Sequence, residues 1–127
     1  NLDPLKATFN LPRSVAFHAS GNIYVTDTGN QRIRKITSTG VVSTFAGTTI
    51  SDGVNISSRF NNPYGVCSDS SGNTYVADTQ NNRIRKITPS GVVSTLAGSG
   101  SSGPGGFADG IGTSAQFNNK FTKNNSI

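Results

Sequence analysis

Few residues in this 127-residue chain are of a type that could do covalent or metal chemistry. There is one histidine, His18, one cysteine, Cys67, and no glutamate, so all six acids are aspartates. Two of those, Asp27 and Asp78, sit in the same context, each five residues ahead of an arginine, Arg32 and Arg83. An aspartate that ends a strand can accept turn amides. An arginine that starts the next strand lies close to it across the turn, which favours a charge-assisted pair. The expectation is a staple on the hairpin, Asp27 with Arg32 and Asp78 with Arg83; the functional alternative is a ring of carboxylates around a channel. His18 stands just before a Ser-Gly turn, where Asp69 stands later, and reads as a polar turn residue. A metal site or acid–base pair there would need partners the chain lacks. No Ser-His-Asp arrangement appears, and no glycine loop leads from a strand into a helix to cradle a phosphate. Asp-Gly pairs at 52–53 and 109–110 supply one carboxylate per loop, whereas calcium needs several converging oxygens. No catalytic residue, cofactor or metal is therefore expected, and the chain reads as not an enzyme. Cys67 aligns with Ala16, which suggests a small buried residue; the alternative is a reactive or intermolecular thiol.

The basic residues recur too. Arg32, Arg34 and Lys35 return as Arg83, Arg85 and Lys86, six of the eleven cations in a chain of net charge +5. Arg34, Lys35, Arg85 and Lys86 are candidates for a basic binding face, the footprint a nucleic-acid binder would show. Alternation along a strand separates Arg34 from Lys35, and few aromatics accompany them for base stacking. A solvated, partly paired strand is the plainer reading, with an acidic partner surface or polysaccharide as a further alternative.

These residues recur because the chain does. Shifted by 51 positions, Phe9–Gly47 lies on Phe60–Gly98 with 25 of 39 residues identical. Each copy holds four short runs rich in Val, Ile, Tyr and Thr, joined by turns of two to five residues. In the second copy they are 64–69, 74–78, 83–88 and 92–97. Such connections make antiparallel hairpins, so each copy is a four-stranded meander, the content of a propeller blade. Ile84 and Ile87, three apart, point to opposite faces, as a sheet covered on both sides requires.

The stretch Gly-Asn-Ile-Tyr-Val-Thr-Asp-Thr-Gly-Asn-Gln-Arg-Ile-Arg-Lys-Ile at 21–36, with Val-Val-Ser-Thr-Phe-Ala-Gly at 41–47, closely resembles the NHL repeat. So do its second copy and the lead-ins Phe-Asn-Leu-Pro (9–12) and Phe-Asn-Asn-Pro-Tyr-Gly-Val (60–66). The resemblance covers residues 9–119. It implies an NHL-type β-propeller, usually closed with six blades, some of which bind RNA on one face. Some propellers similar to this family are metal-dependent lyases or hydrolases; their clusters of His, Glu or Asn have no counterpart here.

The expected fold is therefore all-β: two four-stranded antiparallel NHL-type blades, a partial propeller completed by further blades or by other chains. Residues 1–8 lead in, 9–59 form blade 1, and 60–116 form blade 2 with a longer Gly/Ser-rich loop. Residues 117–127 begin a third lead-in and then diverge, since Lys120 replaces the proline of Pro12 and Pro63. Phe9, Phe60 and Phe117 recur and are expected between blades. A blade cannot bury its faces alone, so protein partners, as a homo-oligomer or as further blades, are expected. Charged residues are only 13%, and Ser, Thr, Asn and Gly supply the wettability, as in secreted adhesive or coat proteins. With no run of 18 apolar residues, no membrane span is expected. An extracellular location is expected, with N-glycosylation possible at the sequons beginning at Asn55 and Asn124. The functional expectation is a non-enzymatic scaffold for protein–protein interaction or self-assembly. The alternative is a fragment of a propeller that recognises RNA or protein through its basic face and loops.

Overall fold

The computed structural model describes residues 6–47, 59–100 and 108–118. The first repeat forms β1 (Pro12–Phe17), β2 (Ile23–Asp27), β3 (Arg32–Ile36) and β4 (Val42–Ala46). The second forms β5 (Pro63–Ser68), β6 (Thr74–Asp78), β7 (Arg83–Ile87) and β8 (Val93–Ala97). Each set is one four-stranded sheet in sequence order, and every neighbouring pair is antiparallel. The all-β architecture of two meanders is thus present. Among the described residues no helix is long and apolar enough to cross a membrane.

Local chemistry explains the hairpins. The β2–β3 connection is a single 3-10 turn, Thr28–Asn30, that closes with Gln31 in the left-handed region at φ 57° and its N–H on the Thr28 carbonyl at 3.1 Å. The β6–β7 turn repeats this with Asn82 at φ 51°. The first strand of each sheet carries a bulge, between Pro12 and Val15 and between Pro63 and Val66. A bulge leaves ladder groups unpaired, and a neighbouring sheet can satisfy them.

Among the described residues that neighbour exists for only one of the two bulges. β5 packs against β1 and β2, so blade 2 stacks on one face of blade 1. The core lies in this junction: Tyr24, Ile33 and Ala46 from blade 1 meet Phe60, Val76 and Ile87 from blade 2, with Phe45, Val66 and Val93 at the margin. Ile33, Val76 and Ile87 are fully buried, each contributing roughly 1.5–3 kcal/mol by transfer. Gly47 shows how close the approach is. It adopts φ +94°, and a Cβ there would lie 2.7 Å from the Gln31 carbonyl oxygen and 3.2 Å from the Phe60 ring.

Candidate functional site

The repeated aspartates are fully buried, and each gathers the ends of its blade. In blade 1, Asp27 Oδ1 accepts the N–H of Asn10 at 2.7 Å, and Oδ2 accepts the Asn30 side-chain amide at 2.9 Å. In blade 2, Asp78 takes the N–H of Asn61 at 2.8 Å and the Asn81 amide at 2.9 Å. The cation that completes each set is not the expected one. Arg34 reaches Asp27 at 3.1 Å and Arg85 reaches Asp78 at 3.1 Å. Arg32 and Arg83 are indeed the directly opposite neighbours of those aspartates across the hairpin. The ion pair instead runs along the diagonal, two residues further on the same face, within reach of a long side chain. There the guanidinium also donates to a lead-in carbonyl, Thr8 at 3.1 Å or Arg59 at 3.4 Å. It lies over the lead-in ring as well, 5.3 Å from Phe9 or 5.7 Å from Phe60. The staple is therefore Asp27–Arg34 and Asp78–Arg85, and it ties the lead-in to the hairpin as well as closing the turn.

This assignment dismantles the expected basic face. The Arg85 side chain is 2% exposed and that of Arg34 14%, both in ion pairs. Lys35 and Lys86 stand opposite Tyr24 and Tyr75, on the other face of their strands. The four residues are not one surface, because alternation separates the arginines from the lysines and the arginines are consumed internally.

His18 and Asp69 do the same job in different ways. Asp69 Oδ1 accepts the N–H groups of Ser71 and Asn73, each at 2.9 Å, and Oδ2 accepts the Asn73 amide and the Tyr75 hydroxyl, also at 2.9 Å. Those bonds, the Asn73 side chain first, lower its pKa from 3.8 to about 2, and the shared bond raises that of Tyr75. His18 Nδ1 imitates the carboxylate by accepting the Ser20 N–H at 3.1 Å. Its ring edge approaches Gly72 of blade 2. The turn role expected of His18 is what the geometry gives.

The junction between blades is polar at its rim. Blade 1 presents Thr26 Oγ1 to the Tyr64 carbonyl at 3.0 Å and Thr28 Oγ1 to the Pro63 carbonyl at 2.6 Å. Gln31 Oε1 accepts the Asn62 N–H at 2.5 Å, and Ser14 Oγ accepts the Val66 N–H at 3.4 Å. These bonds satisfy the groups freed by the β5 bulge. Sequence reasoning missed this set; the hint was that three of the four differ in the second copy, as Gly65, Ala77 and Asn82.

Among the described residues, blade 2 has no such cover on its far side. Tyr75 and Ala77 are half-buried where their counterparts Tyr24 and Thr26 are buried. Cys67 is exposed, contrary to the burial expected from Ala16. The alignment was sound, but Ala16 faces blade 2 and Cys67 faces solvent. The recurring phenylalanines behave alike: Phe60 in the junction is 5% exposed, whereas Phe117 is 42% exposed. Phe117 nevertheless stands against Gly98 as Phe60 stands against Gly47. The sequons at Asn55 and Asn124, the loop at 52–53 and the divergent residues 120–127 lie outside the described residues. Among the described residues no group of three His, Cys, Asp or Glu is placed to hold a metal ion.

Comparison with known proteins agrees with this geometry. A family model for the NHL repeat matches residues 9–36 and 60–87. A solved streptogramin B lyase superposes with a TM-score of 0.55 at 12% identity over 72% of this chain. A structure of a nidogen/laminin complex gives 0.54 at 21% over 68%. An auxiliary nutrient binding protein from Bacteroides thetaiotaomicron gives 0.53 at 28% over 71%. The chain covers 28%, 31% and 24% of those three chains, less than a third of each. No curated protein matches. The chain carries two NHL repeats, each folded as one blade of a β-propeller.

Proposed function

We propose that these blades are a non-enzymatic scaffold that mediates protein–protein interaction or self-assembly outside the cell. One observation carries the reading. Phe60 and Phe117 occupy equivalent settings, and only the one with a sheet beyond it is buried. The far face of blade 2, with Tyr75, Ala77, Cys67 and the 48% exposed Leu96, is built like a covered face and has no cover among the described residues. A repeat unit with a bare stacking face needs a neighbour. That neighbour is a further blade, a partner protein or a second copy. A head-to-tail contact between copies closes into a ring or runs on as a filament, according to its rotation. The nidogen/laminin complex among the similar structures fits a role in protein contact.

Recognition of RNA through the basic residues is the weaker reading, because two of the four candidate cations are held in ion pairs, one of them buried. Light scattering of the purified chain across a concentration series tests the proposal. Expected is a mass above the 13.2 kDa monomer that rises with concentration. Three chains would be a six-bladed ring. A strict monomer that fails to unfold cooperatively would contradict self-assembly.

A further inference from the structure

A cleft of about 590 Å³ opens on blade 1 between the lead-in and the β2–β3 turn, walled by Lys6, Thr8, Asn30, Gln31, Arg32 and Arg34. Its charge is unbalanced. Asp27 is fully buried and already bonded to Arg34, Asn30 and the Asn10 N–H. No ion pair to Lys6 or Arg32 is formed among the described residues. Arg32 Nε is moreover buried with no hydrogen-bond partner, and a buried donor left unpaired is costly. In blade 2 the corresponding Arg83 packs its guanidinium onto Gly100. Of the two arginines, that of blade 1 lines this cleft.

We propose that this cleft takes an acidic side chain, Asp or Glu, from a segment of a protein partner, with Arg32 as the fork that grips the carboxylate and Lys6 as the second charge. The inference rests on the scaffold reading and names the chemistry of its partner. A carboxylate matches the planar guanidinium with two parallel bonds, made through its two terminal nitrogens because Nε is buried. The Gln31 side-chain amide lies beside it. A nucleotide fits less well, because none of the lining side chains is aromatic, and the Phe9 ring lies under Arg34. Base stacking, the usual anchor for single strands, has no platform.

The test titrates a hexaglutamate peptide into the full chain and follows the arginine Nε–H signals by NMR. Expected is a saturable shift at Arg32 with none at Arg83. Arg32→Gln should weaken binding about 10-fold or more, the loss typical of a charged hydrogen bond. Lys6→Gln, at an exposed position that leaves the fold alone, should weaken it less. Arg83→Gln should leave it unchanged. Inorganic phosphate and a single-stranded oligonucleotide are titrated in parallel. Tighter Arg32-dependent binding of either one would overturn the acidic-peptide assignment. Equal peptide binding by wild type, Arg32→Gln and Lys6→Gln would overturn the site. Association through the blade faces without peptide binding would sink this inference and leave the scaffold reading standing.

Discussion

At Asp78 both carboxylate oxygens are occupied, one by a lead-in amide and the other by Asn81 and Arg85. The recurrence of the aspartate and its cations was legible in the sequence. Which arginine pairs with it was not, because two arginines share one strand face and only the path of the lead-in chain decides between them. The consequence is measurable by urea unfolding. Arg85→Gln should cost about 3 kcal/mol, the scale of an interrupted buried ion pair. Arg83→Gln, at the position sequence spacing favoured, should cost about 1 kcal/mol or less. Leu11 offers the opposite sign. It holds φ 48° and is 63% exposed, where the second copy places Asn62 at φ 55°. Leu11→Asn should stabilise by about 1 kcal/mol, since asparagine tolerates the left-handed region and leucine does not. Asp69 adds a pH dependence. Its pKa is depressed to about 2, so its stabilisation is full above the ordinary aspartate range and disappears as the pH falls through about 2. Unfolding midpoints measured down that range should fall more steeply for wild type than for Asp69→Asn.

At the scale of the element, strand order and turn positions were readable because turn residues punctuate every run of β-formers. The junction was less readable. Its bonds join side chains of one repeat to backbone groups of the next, and backbone groups leave no mark in sequence. Thr26 and Thr28 cap the Tyr64 and Pro63 carbonyls of the bulged strand. Replacing both by alanine leaves two junction carbonyls without those partners, at about 1–3 kcal/mol each. Chemical denaturation of Thr26→Ala/Thr28→Ala should show that loss, and Thr79→Ala, whose hydroxyl bonds within its own blade to Ala77, should show much less. Cys67 teaches the same point. Its alignment with Ala16 gave the right position in the blade, but burial depends on whether a sheet lies beyond.

For the whole molecule, a repeat of this length with four strands announced propeller blades, and two blades announced an open structure. What occupies the open side lies beyond any pattern in 127 residues. The single native thiol reports on it. Cys67 is exposed on the far side of blade 2, where the matching Ala16 of blade 1 is 8% exposed beneath its neighbour. The decisive measurement is the labelling rate of Cys67 by a maleimide, taken across the same concentrations as the light-scattering mass. Expected is fast labelling of the dilute chain and marked protection as the mass grows, with prior labelling blocking association. Labelling that stays equally fast in the associated species would contradict the use of this face as the contact, and slow labelling of the monomer would contradict an open blade 2.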